Sequence, residues 1–141
     1  MSTLTVPALP IMVVDDEEAI LFSIDTLLRM AGFNNIITCN DSRDVMEILL
    51  RQPVEMMLLD LSMPHISGEE LLSMITARFP DIPIVIITAA ANENSALKCK
   101  EMGAFDYVIK PLEEIHLVAA INQAMSVRKL NCENTSAISN H

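Results

Sequence analysis

Five short, unbroken apolar runs punctuate this chain, and the segments between them carry the spacing of helices. The runs are Ile11-Met12-Val13-Val14, Ile36-Ile37-Thr38-Cys39, Val54 through Leu59, Ile82 through Thr88, and Tyr107-Val108-Ile109. Each is bounded by polar or turn residues. A strand with one wet face alternates apolar and polar side chains, whereas a strand covered on both faces is apolar throughout. These runs are of the second kind.

The intervening segments step in helical register. Ile20, Ile24, Leu27, Leu28 and Ala31 make one stripe, which Gly32 ends. Asp41 or Ser42 can cap a second helix carrying Val45, Ile48 and Leu49, with Pro53 beyond it. Ser67-Gly68-Glu69-Glu70 reads as a capping box for a third, followed by Leu71, Leu72, Ile75 and Phe79. Asn92 starts a fourth that Gly103 stops. Pro111 opens a fifth, whose Leu117, Ile121, Ala124 and Met125 share a face. Strand and helix alternating five times imply an α/β fold: a five-stranded, doubly wound parallel sheet with helices on both faces and right-handed crossovers. The 141 residues suit one domain. Residues 1–8 read as a lead-in, 9–129 as the domain, and the polar residues 130–141 as a disordered tail or the start of a linker.

Charge narrows the partners. Nine basic residues face nineteen acidic ones, a net charge of −10 that repels phosphate backbones and anionic lipid. Neither nucleic acid nor a membrane is therefore an expected ligand of this chain. Cys39, Cys99 and Cys132 are odd in number and form no CxxC pair, as expected of free thiols in a reducing compartment. The N-terminus MSTLTVPALP lacks the basic stretch and apolar core of a signal peptide. No apolar run approaches the roughly 18 residues of a membrane span. A cytoplasmic location is expected.

In open α/β sheets, sites lie beyond the carboxyl ends of the strands. The first run ends in Asp15-Asp16-Glu17-Glu18, the third in Asp60, the fourth in Thr88-Ala89 and the fifth in Lys110-Pro111. Taken singly, Asp16 could be a helix cap and Asp60 a solvated strand end. Taken together, Asp15, Asp16 and Asp60 crowd one pocket if the first and third strands are neighbours. Like charges at about 4.8 Å, the strand spacing, repel by about 1 kcal/mol even in water. A divalent cation removes that repulsion, and an all-oxygen ligand set suits Mg2+ or Mn2+. A metal-bound carboxylate flanked by an ammonium and a hydroxyl meets the needs of phosphoryl transfer: Lys110 can neutralise phosphoryl oxygens, Thr88 can hydrogen-bond one, and Asp60, single and central, can accept the group.

The segments VVDDEE, LLDLSMPHISGEELL, IIITAA and GAFDYVIKP together resemble the receiver domain of two-component response regulators. The resemblance covers roughly residues 9–128 and implies the flavodoxin-like receiver fold. It implies that Asp60 is the phosphoacceptor, charged by a sensor histidine kinase or a phosphotransfer protein. Asp16 would hold Mg2+ directly, Asp15 through water, and Ser62 through its backbone carbonyl. Thr88 and Lys110 would contact the phosphoryl group, and Tyr107 would turn inward as Thr88 moves. Pro64 and Gly68 match the loop after the phosphoacceptor, and Pro111 the proline after the lysine, whose preceding bond is usually cis. Ser62 and Ala90 fall where the family tunes acyl-phosphate hydrolysis. Such a domain is a switch that catalyses its own phosphorylation and dephosphorylation rather than an enzyme with an external substrate. The texture of SGEELL, GAFDYVIKPLE and RKLNCEN is similar to receivers joined to an ATPase and a DNA-binding domain in transcriptional activators. The resemblance also implies a homodimer through the fourth and fifth helices.

Three other classes fit less well. A phosphatase of the haloacid-dehalogenase type wants a second Asp two residues after its nucleophile, where this chain has Ser62. A nucleotide binder wants a glycine-rich loop, and the glycines are Gly32, Gly68 and Gly103, none in the acidic first loop. A receiver that binds without phosphorylation would not need the whole constellation. His65, His116 and His141 share no spacing, and the ten methionines are scattered.

Overall fold

The computed structural model describes residues 9–89 and 93–139. The sequence expectations for residues 1–8, Ala90, Asn92 and His141 lie outside them. The elements alternate as expected: β1 (Ile11–Val14), α1 (Glu18–Met30), β2 (Ile36–Cys39), α2 (Val45–Arg51), β3 (Met56–Asp60), α3 (Gly68–Arg78), β4 (Ile84–Ala89), α4 (Glu93–Glu101), β5 (Asp106–Lys110) and α5 (Glu114–Ser139). All strand pairs are parallel and the sheet order is β2-β1-β3-β4-β5. The first and third strands are neighbours, which the crowding of Asp15, Asp16 and Asp60 requires.

Alternate residues of each strand feed two separate apolar layers. Met12, Val14, Met57, Leu59, Ile84 and Ile86 face one side, where Val45 and Leu49 of α2, Leu71, Leu72 and Ile75 of α3, and Cys99 of α4 cover them. Ile11, Val13, Met56, Leu58, Val85, Ile87 and Val108 face the other, under Leu21, Ile24 and Leu28 of α1 and Leu117, Ile121 and Ala124 of α5. Both faces of the central strands are therefore dry, which is why their sequence shows no alternation. Cys39 is buried at the end of β2, and Cys99 is buried on α4. No described helix is long and apolar enough to cross a membrane.

Four sequence expectations shift in detail. β3 and β4 begin at Met56 and Ile84, two residues later than their apolar runs; Pro83 lacks the N–H that a ladder needs. Asp41, not Ser42, is the cap after β2: its side chain accepts from the Arg43 N–H at the head of a single 3-10 turn, Ser42–Asp44, that leads into α2. Pro111 does not open the fifth helix. It follows a cis peptide bond in the loop, and α5 begins at Glu114. Nor is the stretch after residue 129 irregular, because α5 continues to Ser139. No Gly or Pro interrupts the chain after Pro111, so nothing in the backbone chemistry stops the helix once it has started. Gly32 and Gly103 do end α1 and α4, at φ 103° and 117°.

Leu58 is fully buried between β1, β4 and the α1–α5 layer, whereas Phe22 on α1 is 72% exposed. Leu58→Ala should lower the unfolding free energy by about 2–5 kcal/mol. Phe22→Ala should change it by less than about 0.5 kcal/mol. Urea unfolding of the two variants beside wild type measures both.

Candidate functional site

Parallel strands all end at the same edge, and the register decides which ends meet. Val14 pairs with Leu59, so the next residues, Asp15 and Asp60, leave the sheet side by side. Asp60 pairs with Ile87, which brings Thr88 to the neighbouring position; Ala89 pairs with Lys110, which brings the lysine to the next. Asp16, Asp60, Thr88 and Lys110 then line one cleft of about 300 Å3, together with Glu17, Leu61, Ser62 and Ala89.

The three carboxylates converge. One oxygen from each of Asp15, Asp16 and Asp60 lies within 4.8 Å of the others. Asp15 and Asp60 are buried, at 1% and 5% exposure, and Asp16 is exposed at the mouth. Asp15 Oδ1 accepts the Glu17 N–H at 2.9 Å, which orients the carboxylate, but its buried Oδ2 has no hydrogen-bond partner. Burial, and then the charge of Asp60, push the Asp15 carboxyl up to about 6, against the pull of the Glu17 N–H. Burial also raises Asp60. The Lys110 ammonium, 3.6 Å from Asp60 Oδ1, and the Ser62 N–H oppose that rise without cancelling it. Thr88 is buried beside them, and its hydroxyl donates only a 3.3 Å bond to the carbonyl of Ala89. Tyr107, paired with Ile86 on β5, is half-buried against the layer that α4 covers.

An orphaned buried carboxylate oxygen beside two further carboxylates calls for a cationic partner. Hard oxygen donors at this density suit a small divalent cation such as Mg2+. The residues thus fit the ion that the sequence resemblance implies.

The loop from β3 to α3 forms one wall of the cleft. It closes on itself through the Gly68 N–H, which donates to the carbonyl of Leu61 at 3.0 Å. Ser67 caps α3, its hydroxyl accepting from the Glu70 N–H and donating to the Glu70 carboxylate, so the side-chain half of the expected capping box is made through the hydroxyl rather than the Ser67 N–H. Gly68 has no room for a side chain: a Cβ would stand 2.5 Å from the carbonyl oxygen of Asp60 and 2.6 Å from Cα of Leu61. Between them His65 adopts φ 69°, a left-handed conformation that costs a non-glycine residue on the order of 1 kcal/mol. The flanking Pro64 carbonyl and Ile66 N–H both bond the buried hydroxyl of Ser42, which reaches across from the turn after β2.

All of the strand-end residues singled out from sequence, Asp15, Asp16, Asp60, Thr88 and Lys110, thus meet at one rim, with Ser62 beside them. Tyr107 stands on the same strand as Lys110, outside the cleft lining. The Ser42 bridge, the close approach of Gly68 and the twist at His65 were not read from sequence. They depend on contacts that form only in the fold, and the sole signal was a loop hydroxyl that also suited a cap.

An α/β sheet that gathers acids, a hydroxyl and a lysine at one edge defines the phosphoryl-switch class of parallel-sheet domains. The sequence matches the response regulator receiver domain family over residues 11–122, and the chain belongs to that family. It is 35% identical over 128 residues to an NtrX-like response regulator of Rickettsia felis, covering 89% of this chain and 27% of that protein. It is 33% identical over 114 residues to the DNA-binding transcriptional regulator NtrC of Escherichia coli, covering 81% of this chain and 24% of that protein. The chain spans about a quarter of the length of these curated relatives. Among solved structures, NtrX from Brucella abortus superposes with a TM-score of 0.85 at 26% identity, covering 93% of this chain and 30% of that one. A receiver domain protein from Clostridium thermocellum gives 0.81 at 31% identity, covering 86% and 98%. The protein is a response regulator receiver domain, a signalling module similar to those of the NtrX and NtrC transcriptional regulators. That membership sets aside the phosphatase and nucleotide-binding alternatives.

Two outcomes follow from the geometry. Gly68→Ala should lower stability by about 1–3 kcal/mol, because only backbone atoms can move aside; urea unfolding reads the loss. The raised carboxyl of Asp15 predicts an unusual pH dependence. The folded chain takes up a proton near pH 6 that the unfolded chain takes up only near 3.8. The associated stability is complete below 3.8 and is lost as pH rises through 6. The metal-free protein should therefore gain stability, on the order of 2 kcal/mol, as the pH falls from 7 to 4.5. Asp15→Asn should reduce that slope, leaving the part that the raised Asp60 carboxyl contributes, in thermal unfolding scans with a chelator present.

Proposed function

We propose that Asp60 accepts a phosphoryl group from the phosphohistidine of a partner kinase or phosphotransfer protein, and that the modification alters the face formed by α4, β5 and α5. The observation that carries this reading is the convergence of three carboxylates: Asp15 with an orphaned buried oxygen, Asp16, and Asp60 with an oxygen 3.6 Å from the Lys110 ammonium. Asp60 is the member of the trio that both contacts Lys110 and lines the cleft.

Asp15, Asp16, Asp60 and the Ser62 carbonyl would hold Mg2+. Bound there, the ion supplies positive charge to the oxygens of the incoming phosphoryl group. The Asp60 carboxylate attacks phosphorus in line with the leaving imidazole nitrogen. The P–N bond breaks, a P–O bond forms, and the imidazole nitrogen recovers a proton from solvent. Lys110 trades its contact with the Asp60 carboxylate for one with a phosphoryl oxygen. Thr88, whose present bond to Ala89 is long, donates its hydroxyl to another phosphoryl oxygen. Attack by water on the same phosphorus returns the carboxylate, so the domain promotes both its own loading and its own unloading.

The switch follows from the second half of that exchange. Drawing the Thr88 hydroxyl toward Asp60 frees room beside it, and the half-buried Tyr107 ring on the next strand moves inward. Among the described side chains of α4, Cys99 alone is fully buried, Leu97 is 49% exposed, and Lys98 and Lys100 reach Glu69 and Asp106 at 3.8 Å in surface pairs. The position of α4 is cheap to change. The altered face contacts an output segment or a second copy, and by analogy with the NtrC-like relatives the output is transcriptional. Residues 9–129 suffice for the switch itself, in the cytoplasm.

Incubation with acetyl phosphate and Mg2+ should add the mass of one phosphoryl group to wild type and none to Asp60→Asn. Lys110→Ala should slow the addition by about 10²-fold or more. Intact-protein mass spectrometry follows both, and an adduct that survives in Asp60→Asn would overturn the assignment.

A further inference from the structure

Ser42 takes no part in the chemistry above, yet its hydroxyl is among the most constrained in the molecule. It is 3% exposed. The cap at this turn is already supplied by Asp41, so the Ser42 side chain is released from that duty. Instead Oγ donates to the carbonyl of Pro64 at 3.1 Å and accepts the Ile66 N–H at 3.2 Å. Those two groups flank His65, the residue held at φ 69°. Among the described residues, no other side chain from a different βα unit hydrogen-bonds this loop.

We propose that Ser42 is a positioning residue for the acidic cleft: by stapling Pro64 to Ile66 across the left-handed His65, its hydroxyl fixes where Ser62 presents its N–H and carbonyl. The inference rests on the reading of Asp60, Ser62 and the cation site given above.

The His65 side chain is exposed, and what it shares with the Asp41 carboxylate is a surface electrostatic interaction that does not fix a backbone angle. Met63 and Ile66 pack against the apolar layer under α2 and α3, which limits where the loop lies. Apolar packing has no directional preference, so it does not dictate the backbone twist at one residue. The Gly68 N–H on the Leu61 carbonyl fixes the ends of the loop and leaves its middle free. The two bonds from Ser42 are directional, and both land on the peptide groups that define the His65 conformation. Without them His65 relaxes toward the negative φ that its side chain prefers. Both ends of the loop are pinned, so that rotation must be absorbed within 61–67. Ser62 is the member of that stretch whose N–H bonds the Asp60 carboxylate. Displacing it costs Asp60 that donor and moves a candidate cation ligand at the same time.

The test is a double-mutant cycle between Ser42→Ala and His65→Gly. Three readouts are taken: Mg2+ affinity by calorimetric titration, the initial phosphorylation rate with acetyl phosphate at subsaturating Mg2+, and the urea midpoint. Ser42→Ala should weaken Mg2+ binding by about ten-fold, the scale of lost outer-sphere support, and slow phosphorylation in step. Glycine tolerates positive φ, so His65→Gly in the Ser42→Ala background should recover most of both losses. A Ser42→Ala protein with a lowered urea midpoint but wild-type Mg2+ affinity and rate has only a structural serine, and overturns the proposal. So does a double variant no better than Ser42→Ala. If Ser42→Ala fails to fold, the comparison moves to the His65→Gly background, where removing the hydroxyl should change Mg2+ affinity by less than about two-fold on the same reasoning; a larger loss overturns the proposal. Failure of the underlying reading is separate: wild type would then bind no Mg2+, or Asp60→Asn would still take the phosphoryl group.

Discussion

Mutual repulsion among carboxylates at one rim of a parallel sheet governs this molecule. Parallel strands cannot avoid ending together, and the β1–β3 register sets Asp15 and Asp60 side by side with Asp16 at the mouth. Lys110 relieves part of the repulsion at Asp60 but leaves Asp15 with a buried oxygen and no donor. An unsatisfied buried carboxylate is costly in a protein interior. The rest of the chain tolerates it because two dry layers, one on each face of the sheet, hold the strands in place. Among the described residues, the one buried side-chain oxygen without a partner lies at the edge where ligands arrive.

The surroundings of that edge are built from short contacts. Gly68 allows α3 to start within van der Waals reach of the Asp60 and Leu61 backbone, and Ser67 caps the helix there. The ends of the loop between are thereby fixed, and its one left-handed residue is bracketed by the bonds from Ser42. Lys110 reaches the cleft from the far side, just before a cis peptide bond that turns the chain toward α5. Each reactive group stands at the end of a strand or one residue from a constrained turn.

Much of this was legible in the sequence, for identifiable reasons. The three central strands stood out because burial on both faces removes polar residues from Ile11–Val14, Met56–Leu59 and Ile84–Ile87 altogether, whereas the edge strands β2 and β5 are only partly buried. Asp15, Asp60, Thr88 and Lys110 stood out because each ends such a run, and the topology of a doubly wound sheet collects run ends at one edge. What was not legible depends on contacts between distant segments. Ser42 lies 22 and 24 positions before its partners Pro64 and Ile66, and no spacing rule links them. The polar composition of residues 130–139 pointed to an irregular tail, because composition alone does not register that an established helix has no breaker ahead of it. Pro111 looked like a helix start because proline favours the first turn, but here it follows a cis bond in the loop and α5 starts three residues later, at Glu114.

The alternation of side chains along each strand makes the sheet a partition. The compartment beneath α2, α3 and α4 holds Tyr107 and Cys99, while the compartment beneath α1 and α5 holds none of the residues assigned to the response. In the proposed switch, one sheet of backbone separates the layer in which α4 and Tyr107 would move from the layer that α1 covers. The acids of β1 and the lysine of β5 issue from the seam itself, so α4 can be re-seated without loosening the wall on which the acidic edge is mounted.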